Sequence, residues 1–371
     1  MKPRLLLISR KWPPSVGGME TYSVELDASL AIHFEVTRKV LLGRPDGRPP
    51  GLVAYGLFLI RTVFYCLLHA NRFSHVVIGD LVLFPAALCC RIRASRQKRL
   101  VVVYGLDLVY FRRKGLLPSI YGAYFTLFRK FQTTFNAIVA ISGFTADLAR
   151  EAGLRAVHVV NPSLPRTALT EDNGEAAVYV PDAFASSLSR RILQFGRLVP
   201  RKGSAWFAAN VMPRLCDDVE FFVVGASYDQ SLVDALQSSL RTTYLGSQPA
   251  DVLATMIRQA DIVVMPNIAP STASADVEGF GLVAVETASL GGILVASRLQ
   301  GLTDAVVDGV TGTLVEPEDA EVWAAVVKRL LGEPREQIEA RRATAKTQAR
   351  AVFSKERMGD ALATLFLTNP D

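Results

Sequence analysis

Short apolar runs rich in Val, Leu and Ile recur along the whole chain and alternate with longer amphipathic stretches. This alternation is the pattern of βαβ units, in which crossover helices join parallel strands. It predicts an α/β protein built of doubly wound parallel sheets. The predicted strands are residues 4–8, 76–78, 100–103, 137–141, 191–195, 219–224, 243–245, 262–265, 293–296 and 313–315.

The predicted strands fall into two sets separated by a different kind of segment. Residues 161–190 contain three prolines, scattered acids and no sustained hydrophobic period, which is typical of a linker. We therefore predict a first Rossmann-like domain over residues 1–165 and a second over residues 185–350, facing each other across a cleft. A last helix within residues 354–371 is expected to pack back on the first domain.

The charge of the chain is unevenly distributed. Residues 1–170 contain 23 Lys or Arg and 9 Asp or Glu, and the remaining residues contain 18 and 26, so the net charges are +14 and −8. The first part is expected to face an anionic partner such as phosphate groups or an acidic membrane surface. Nucleic acid is not expected, because the cations are scattered and no RNA- or DNA-binding motif occurs.

Several observations favour a cytoplasmic protein without a metal. The apolar run at residues 5–8 ends at Ser9-Arg10-Lys11 and is too short for a secretory signal. Residues 52–68 are the longest apolar stretch, but they carry Arg61 and fall short of the roughly 20 residues that span a bilayer. The four cysteines and four histidines have neither disulfide nor metal-site spacing.

Three segments carry residues that are suited to chemistry. In the first, residues 12–20, Gly17 and Gly18 follow the first strand, and a helix is predicted to begin near Glu20. Paired glycines let the backbone approach a ligand closely, and a helix N-terminus favours an anion. A plain tight turn is the alternative interpretation.

The second segment, residues 195–203, follows a predicted strand of the second domain and contains three cations. The carboxyl ends of strands in doubly wound sheets face the ligand crevice, so Arg197 and Lys202 are placed to hold a diphosphate. The alternative is a solvated basic turn that binds nothing.

The third segment is residues 276–286. A helix that begins near Phe280 would offer the N–H groups of Phe280, Gly281 and Leu282 to an anion. Glu278 would then reach a sugar hydroxyl, and Glu286 would accept from a ribose hydroxyl. An acidic helix N-terminus stabilised by the helix dipole is the alternative.

These segments resemble the retaining glycosyltransferases of family 4, which have the GT-B fold. The resemblance runs from residue 5 to about residue 331 and is most specific over residues 192–317. Its elements are Gly196-Arg197-Leu198-x-x-x-Lys202-Gly203, Val223-Val224-Gly225, Tyr244-Leu245-Gly246, Ala260-Asp261-Ile262, Glu278-x7-Glu286 and Asp304-x3-Asp308-Gly309-x-x-Gly312-x-Leu314-Val315.

The resemblance implies transfer of a hexose from a nucleotide diphosphate sugar to a glycan or lipid-linked acceptor, with retained configuration and without metal or cofactor. Arg197 and Lys202 would hold the donor diphosphate, and Glu278 would lie beside the transferred sugar. The other implied donor-binding positions are Gly17, Gly18, Gly225, Tyr244, Leu245, Phe280, Gly281, Leu282 and Glu286. Glu20, Tyr104 and Asp107 would lie on the acceptor side.

One position departs from the family pattern. Many relatives have His-Gly-x-Asp after a strand of the first domain, whereas this chain has Tyr104-Gly105-Leu106-Asp107. Tyrosine can donate to a sugar hydroxyl but does not titrate near neutrality, so it does not replace histidine as a proton shuttle. A non-catalytic GT-B protein that binds nucleotide or glycan, and a GT-B epimerase or phosphorylase, stay open as alternatives.

The first domain also carries an aromatic stripe beside several cations. Residues 104–135 contain nine aromatics, and six of them fall at helical spacing: Tyr121, Tyr124, Phe125, Phe128, Phe131 and Phe135. Such a stripe suits a helix that lies among anionic lipid head groups. Together with the net charge of +14 and the unusually apolar residues 52–68, this stripe leads us to expect peripheral contact with the inner face of a membrane, consistent with synthesis of a surface polysaccharide or glycolipid. The core face of a helix is the alternative.

Overall fold

The computed structural model describes residues 2–165, 179–269 and 276–367. These residues form two compact units. The first unit consists of residues 2–163, 276–280 and 353–367, and the second of residues 164–165, 179–269 and 281–352. Each unit contains a parallel six-stranded sheet flanked by helices, so the prediction of an α/β fold is confirmed.

Strands and helices alternate along the first unit. In chain order they are β1 (Arg4–Trp12), α1 (Gly18–Leu30), β2 (Glu35–Leu42), α2 (Leu52–His69), β3 (His75–Ile78), α3 (Phe84–Arg93), β4 (Lys98–Val103), α4 (Leu106–Val109), α5 (Leu116–Phe131), β5 (Ala137–Ala140), α6 (Gly143–Glu151) and β6 (Val157–Val159). The sheet order is β2-β1-β3-β4-β5-β6.

The central strands of this sheet are buried on both faces. Successive side chains of β1 from Leu5 to Ser9 point to opposite faces, and all five are fully buried. Leu6 and Ile8 share one core with Cys66 of α2, Cys90 of α3 and Phe128 of α5. These three helices therefore cover the same face of the sheet.

The sequence prediction omitted two strands, and both lie at edges of the sheet. β2 is half-exposed along its length and β6 has three residues, so neither has the continuous apolar run of a buried strand. β1 is also longer than predicted, because Ser9 and Trp12 still pair with Val40 and Leu42 of β2.

Five of the six rings of the predicted aromatic stripe face the core, whereas Phe131, the last residue of α5, is 42% exposed. Phe125, Phe128 and Phe135 are buried in the core. Tyr121 and Tyr124 are half-buried against it, and their hydroxyls donate to backbone carbonyls. Burial of these rings favours the alternative interpretation, the core face of a helix, and contact of the first domain with a membrane stays a prediction.

Residues 52–68 belong to α2, which is more exposed than its composition suggests. Only Thr62 and Cys66 of this helix are buried. Together with the turn that follows it, the segment Leu52–Arg72 is long and apolar enough to cross a membrane by length and composition.

The second unit repeats the alternation of strands and helices. Its elements are α7 (Asp182–Ala185), β7 (Arg190–Phe195), α8 (Ser204–Asn210), β8 (Val219–Val224), α9 (Gln230–Gln237), β9 (Thr242–Tyr244), α10 (Ala250–Gln259), β10 (Ile262–Met265), α11 (Leu282–Ser289), β11 (Leu294–Ser297), α12 (Leu302–Ala305), β12 (Thr313–Val315), α13 (Ala320–Leu331) and α14 (Arg335–Val352). The sheet order is β12-β11-β10-β7-β8-β9. In the hydrophobic core of this unit, the fully buried Trp323 packs against Phe207 and Trp206.

The chain then returns to the first unit as α15 (Lys355–Leu365), which packs on α1. Gly359 permits this approach, because a Cβ there would lie 2.6 Å from the Ser29 carbonyl oxygen. Phe366, just after the helix, packs on the rings of Phe34 and His75.

Candidate functional site

The strand order of each sheet identifies where a ligand would bind. The order reverses between β1 and β3 in the first unit, and between β7 and β10 in the second. In doubly wound sheets, ligands bind at the carboxyl ends of the strands on either side of such a reversal. The residues that follow these four strands are therefore the candidate site residues.

In the second unit, two glycines bring the ends of β7 and β8 together. Gly225 has φ of +145°, and a Cβ there would lie 1.8 Å from the carbonyl oxygen of Gly196. Only glycine tolerates so close an approach. Tyr244 closes the same corner, because its hydroxyl donates to the Gly225 carbonyl at 2.7 Å. Leu245 follows, and its N–H donates to the carbonyl of Val223.

The basic turn after β7 is held in place from two directions. Lys202 ends a single 3-10 turn, and its carbonyl accepts from Gln194 Nε2 at 2.9 Å. Gly203 follows in the left-handed conformation, and a Cβ there would lie 1.8 Å from the carbonyl oxygen of Pro266, just after β10. Lys202 is half-buried and Arg197 is exposed.

Lys202 and Glu286 are electrostatically coupled within this unit. Burial raises the pKa of Glu286 to about 7, and the positive charge of Lys202 opposes that rise. The carboxyl group therefore titrates near neutrality. The structure thus brings together a predicted diphosphate-binding cation and the predicted ribose-binding acid.

The helix expected to begin near Phe280 begins two residues later. α11 starts at Leu282, and Gly281 is its N-cap residue with φ of +104°. A Cβ on Gly281 would lie 2.5 Å from Leu302 Cδ2. Phe280 is buried and packs its ring on Phe353. The N–H groups at the start of this helix are therefore those of Leu282 and Val283, and not that of Phe280.

Glu278 belongs to the first unit, where its segment packs against the end of β4. The hydroxyl of Thr145 donates to the Gly279 carbonyl at 3.2 Å. A Cβ on Gly279 would lie 2.4 Å from the carbonyl oxygen of Tyr104. Glu278 is half-buried beside these groups. The predicted sugar-facing acid and the predicted acceptor-side residues are therefore neighbours in one unit.

Asp107 is held by the turn that follows β4. Its Oδ1 accepts from the backbone N–H groups of Tyr104 at 3.0 Å and Gly105 at 2.8 Å. Within the described ranges, its buried Oδ2 has no hydrogen-bond partner. Burial and the charge of Asp80 raise the pKa of Asp107 to about 7. This carboxyl can therefore exchange a proton near neutral pH.

The side chain of Tyr104 points inward, contrary to the acceptor-facing position expected for it. Its ring is buried, and its hydroxyl donates to the Gly79 carbonyl at 2.8 Å. The Tyr22 ring packs edge-on against it, with centroids 5.3 Å apart. Burial raises the pKa of Tyr104 well above its usual value, so this phenol does not exchange a proton near neutrality.

Two ion pairs lie at the ends of β1 and β3. Lys11 Nζ lies 3.6 Å from Glu20 Oε1, and both side chains are largely buried. Arg10 Nη2 lies 2.8 Å from Asp80 Oδ2. Of these four residues, only Glu20 was predicted from the sequence as a site residue. Asp80 could have been predicted, because it lies close after a predicted strand. Arg10 and Lys11 could not, because β1 was predicted to end at Ile8.

The glycine loop of the first unit begins α1. Gly17 is the N-cap residue with extended backbone, and Gly18 is the first helical residue. The loop before them packs on residues 43–48, since Ser15 Oγ donates to the Arg48 carbonyl at 3.0 Å. The glycine pair therefore lies at the carboxyl end of β1, near Glu20.

A stretch made up mostly of second-unit residues matches a known family. Residues 189–333 match the family model described as Glycosyl transferases group 1. D-inositol 3-phosphate glycosyltransferase of Mycobacterium tuberculosis (strain ATCC 25618 / H37Rv) is 40% identical over 134 residues, which make up 35% of this chain and 26% of that protein. The chain thus matches about a quarter of the length of this curated relative.

Solved structures match nearly the whole chain. Anabaena HepE, solved in complex with UDP, has a TM-score of 0.72 at 16% identity and covers 97% of this chain and 98% of its own. Sucrose-phosphate synthase from Thermosynechococcus elongatus has a TM-score of 0.72 at 18% identity and covers 99% and 98%. These likenesses, with the two six-stranded parallel sheets, show the GT-B type of fold predicted from the sequence.

Proposed function

We propose that this protein is a glycosyltransferase that moves a hexose from a nucleotide diphosphate sugar to a glycan or lipid-linked acceptor. The observation that carries the proposal is that α11, the helix of Glu286, lies against the end of β7, where a Cβ on Gly196 would be 3.4 Å from Val283 Cγ2, and that Lys202 acts electrostatically on Glu286 there. Both residues lie within the stretch that matches the family model for Glycosyl transferases group 1. A cation for the diphosphate and an acid for the ribose are the two groups that a nucleotide donor needs.

On the donor side, we assign leaving-group stabilisation to Lys202 and Arg197. Negative charge develops on the diphosphate as the bond to the sugar breaks, and fixed cations at that point lower the barrier. Glu286 accepts from the ribose, and its ionised form is the stronger acceptor. No metal or other cofactor is assigned a part. Because HepE is solved with UDP, uridine diphosphate is the first nucleotide to test.

On the acceptor side, we assign binding of the incoming hydroxyl to Asp107 and Glu278, with Glu20 nearby on α1. Tyr104 supports the turn that holds Asp107. We propose that configuration is retained, as the resemblance to family 4 implies. In that route the leaving phosphate takes the acceptor's proton, and the protein supplies electrostatic stabilisation.

We further propose that the enzyme works in the cytoplasm at the inner face of a membrane, in the synthesis of a surface polysaccharide or glycolipid. The support for this location is the net charge of +14 over residues 1–170, which suits an anionic surface.

The first experiment is calorimetric binding of UDP, GDP, ADP and dTDP in the absence of metal. We expect one nucleotide to bind, and Glu286→Gln to weaken it by about tenfold, the scale of one lost charged hydrogen bond. Glu336→Gln is the matched control, since Glu336 lies in the first turn of α14 in the same unit. Equal affinity in the two variants would remove Glu286 from the site.

A non-catalytic nucleotide-binding role is the competing proposal, and the inward-facing Tyr104 favours it. Turnover separates the two. A transferase releases nucleotide from the sugar donor in proportion to the acceptor consumed. Lys202→Ala should then lower kcat by about 100-fold, the scale of one lost oxyanion contact. Nucleotide binding with no product from any sugar donor would favour the non-catalytic role.

A further inference from the structure

The outward face of α2 is apolar and has no partner within the described part of the chain. Six of its side chains lie on one arc of the helix, because successive positions are three or four residues apart, except for the last two, which are adjacent in sequence. They are Val53 at 77% exposure, Leu57 at 50%, Ile60 at 55%, Phe64 at 62%, Leu67 at 38% and Leu68 at 65%. Soluble monomers rarely expose a contiguous apolar stripe of this kind. We call it the α2 face.

The inward side of the same helix is firmly held by the first unit. Thr62 and Cys66 are buried, and Phe58 and Tyr65 pack against the core beneath the sheet. Inserting α2 across a bilayer would expose that core, so this helix cannot span a membrane while the sheet is intact. It can, however, lie in a membrane surface with its outward face buried.

A second helix extends the exposed apolar surface. α5 turns most of its aromatic stripe inward, but its opposite side exposes other apolar side chains: Leu116 at 77%, Leu117 at 62%, Ile120 at 56% and Leu127 at 45%. α2 and α5 pack on the same core of the first unit. Both exposed stripes therefore belong to the helix layer on one face of the sheet.

The charge around these helices is mostly positive. Residues 43–135 contain 14 Lys or Arg and 3 Asp or Glu. Asp80 is buried in an ion pair, and Asp107 is half-buried at the start of α4. Asp46 is thus the exposed acid of this stretch. Arg61 lies on the helix beside the apolar arc, with Arg72 in the turn that follows, and both are exposed.

We propose that the α2 face is a docking surface for a membrane that contains anionic lipids, with α2 lying flat at the depth of the head groups. The apolar side chains enter the acyl boundary, Arg61 extends to the phosphates, and the surrounding cations are attracted to the surface charge. A second copy of the chain fits less well, because a symmetric dimer would bring two cationic surfaces together. The proposal rests on the membrane location proposed above and names the surface that docks, but it does not depend on sugar transfer.

The test is co-sedimentation of the full chain with vesicles of phosphatidylcholine alone or mixed with phosphatidylglycerol. We expect the protein to bind the mixed vesicles and to be released by high salt. The double variant Leu57→Glu, Phe64→Glu should lower partitioning by at least about tenfold, since it places two charges in the apolar boundary. Both positions are exposed, so folding should be unaffected.

Leu188→Glu, Leu240→Glu is the matched control, because it makes the same changes at exposed leucines of the second unit. The control should bind vesicles like the wild type, and nucleotide affinity should be equal in all three proteins. Failure of the wild type to bind the mixed vesicles, or equal binding by both double variants, would overturn the proposal. So would a wild-type dimer that does not bind vesicles and that the α2 variant converts to monomer.

Discussion

Arg10 and Asp80 form an ion pair where the first sheet reverses its strand order. Arg10 Nε donates to Asp80 Oδ2 at 2.9 Å, and the carboxylate side chain is 3% exposed. The other carboxylate oxygen accepts from the N–H of Val82 at 2.8 Å. Asp80 therefore fixes the end of β3 to the end of β1, and its charge also acts on Asp107.

Removing Asp80 should strongly destabilise the first unit. Asp80→Ala leaves the Arg10 guanidinium without its partner, and breaking a buried pair costs about 3–5 kcal/mol. Asp46→Ala is the control, because its pair with Arg48 is exposed and worth less than about 1 kcal/mol. Thermal melting of both variants checks this. Similar melting temperatures would mean that the Arg10 charge is stabilised by other groups.

Gly225 should be intolerant of any side chain. In Gly225→Ala the new Cβ meets the Gly196 carbonyl oxygen, so the ends of β7 and β8 must separate. We expect nucleotide affinity to fall by about tenfold or more, because the basic turn follows directly after Gly196. Gly246→Ala is the control, since Gly246 also has positive φ, but nothing lies within 4 Å of its Cβ position.

The Gly246→Ala control separates the effect of backbone strain from that of a steric clash. Gly246→Ala should cost about 1–2 kcal/mol in the free energy of unfolding and leave nucleotide affinity nearly unchanged. Calorimetry and melting curves on both variants give the comparison. If the two alanine variants bind nucleotide equally well, the close approach of Gly196 and Gly225 is irrelevant to the site.

Lys202→Ala should change the titration of Glu286 as well as turnover. The positive charge of Lys202 opposes the rise in the Glu286 pKa, so its removal should move that pKa above 7. Nucleotide affinity measured against pH should then show its Glu286 step at higher pH than in the wild type. Glu286→Gln identifies the step by abolishing it, and Lys328→Ala, on an exposed side of α13, should leave it unmoved. An unmoved step in Lys202→Ala would contradict the coupling.

The buried parts of the fold could be predicted from the sequence, and the edges could not. Interior strands such as β8 and β10 are continuous apolar runs, because both of their faces are covered. β2 and β6 are partly exposed, and their mixed composition carries no comparable signal. The same limit hid Arg10 and Lys11, which follow the apolar part of β1.

The site could be predicted only where motif and position coincide. The glycines and cations after β7 follow a recognisable strand, so their location was predictable. The start of α11 was not, because Gly281 adopts a left-handed conformation to pack against Leu302, a contact made through tertiary structure. The inward orientation of Tyr104 likewise depends on the carbonyl of Gly79, which follows the end of β3. For α5, the sequence identified an amphipathic helix but not which side faces the core.

Two carboxyl groups should make the protein less stable as pH rises toward neutrality. Burial raises the pKa of Asp107 from 3.8 to about 7 and that of Glu286 from 4.5 to about 7. Between these values the folded chain binds more protons than the unfolded chain, so the free energy of unfolding falls with increasing pH. The fall in the free energy of unfolding begins near the lower pKa values, those of the unfolded chain. It is complete once both groups have ionised in the folded state.

The double variant Asp107→Asn, Glu286→Gln should flatten this dependence. Melting temperatures measured from about pH 4 to pH 8 should fall less in the variant than in the wild type, because neither replacement ionises. Asp229→Asn is the control. Hydrogen bonds from Ser231 and Leu232 lower the pKa of that exposed carboxyl, so its contribution to stability increases with pH instead of decreasing. This substitution should leave the fall toward neutrality in place. Parallel curves for the double variant and the wild type would show that Asp107 and Glu286 ionise in the folded protein at their ordinary pH.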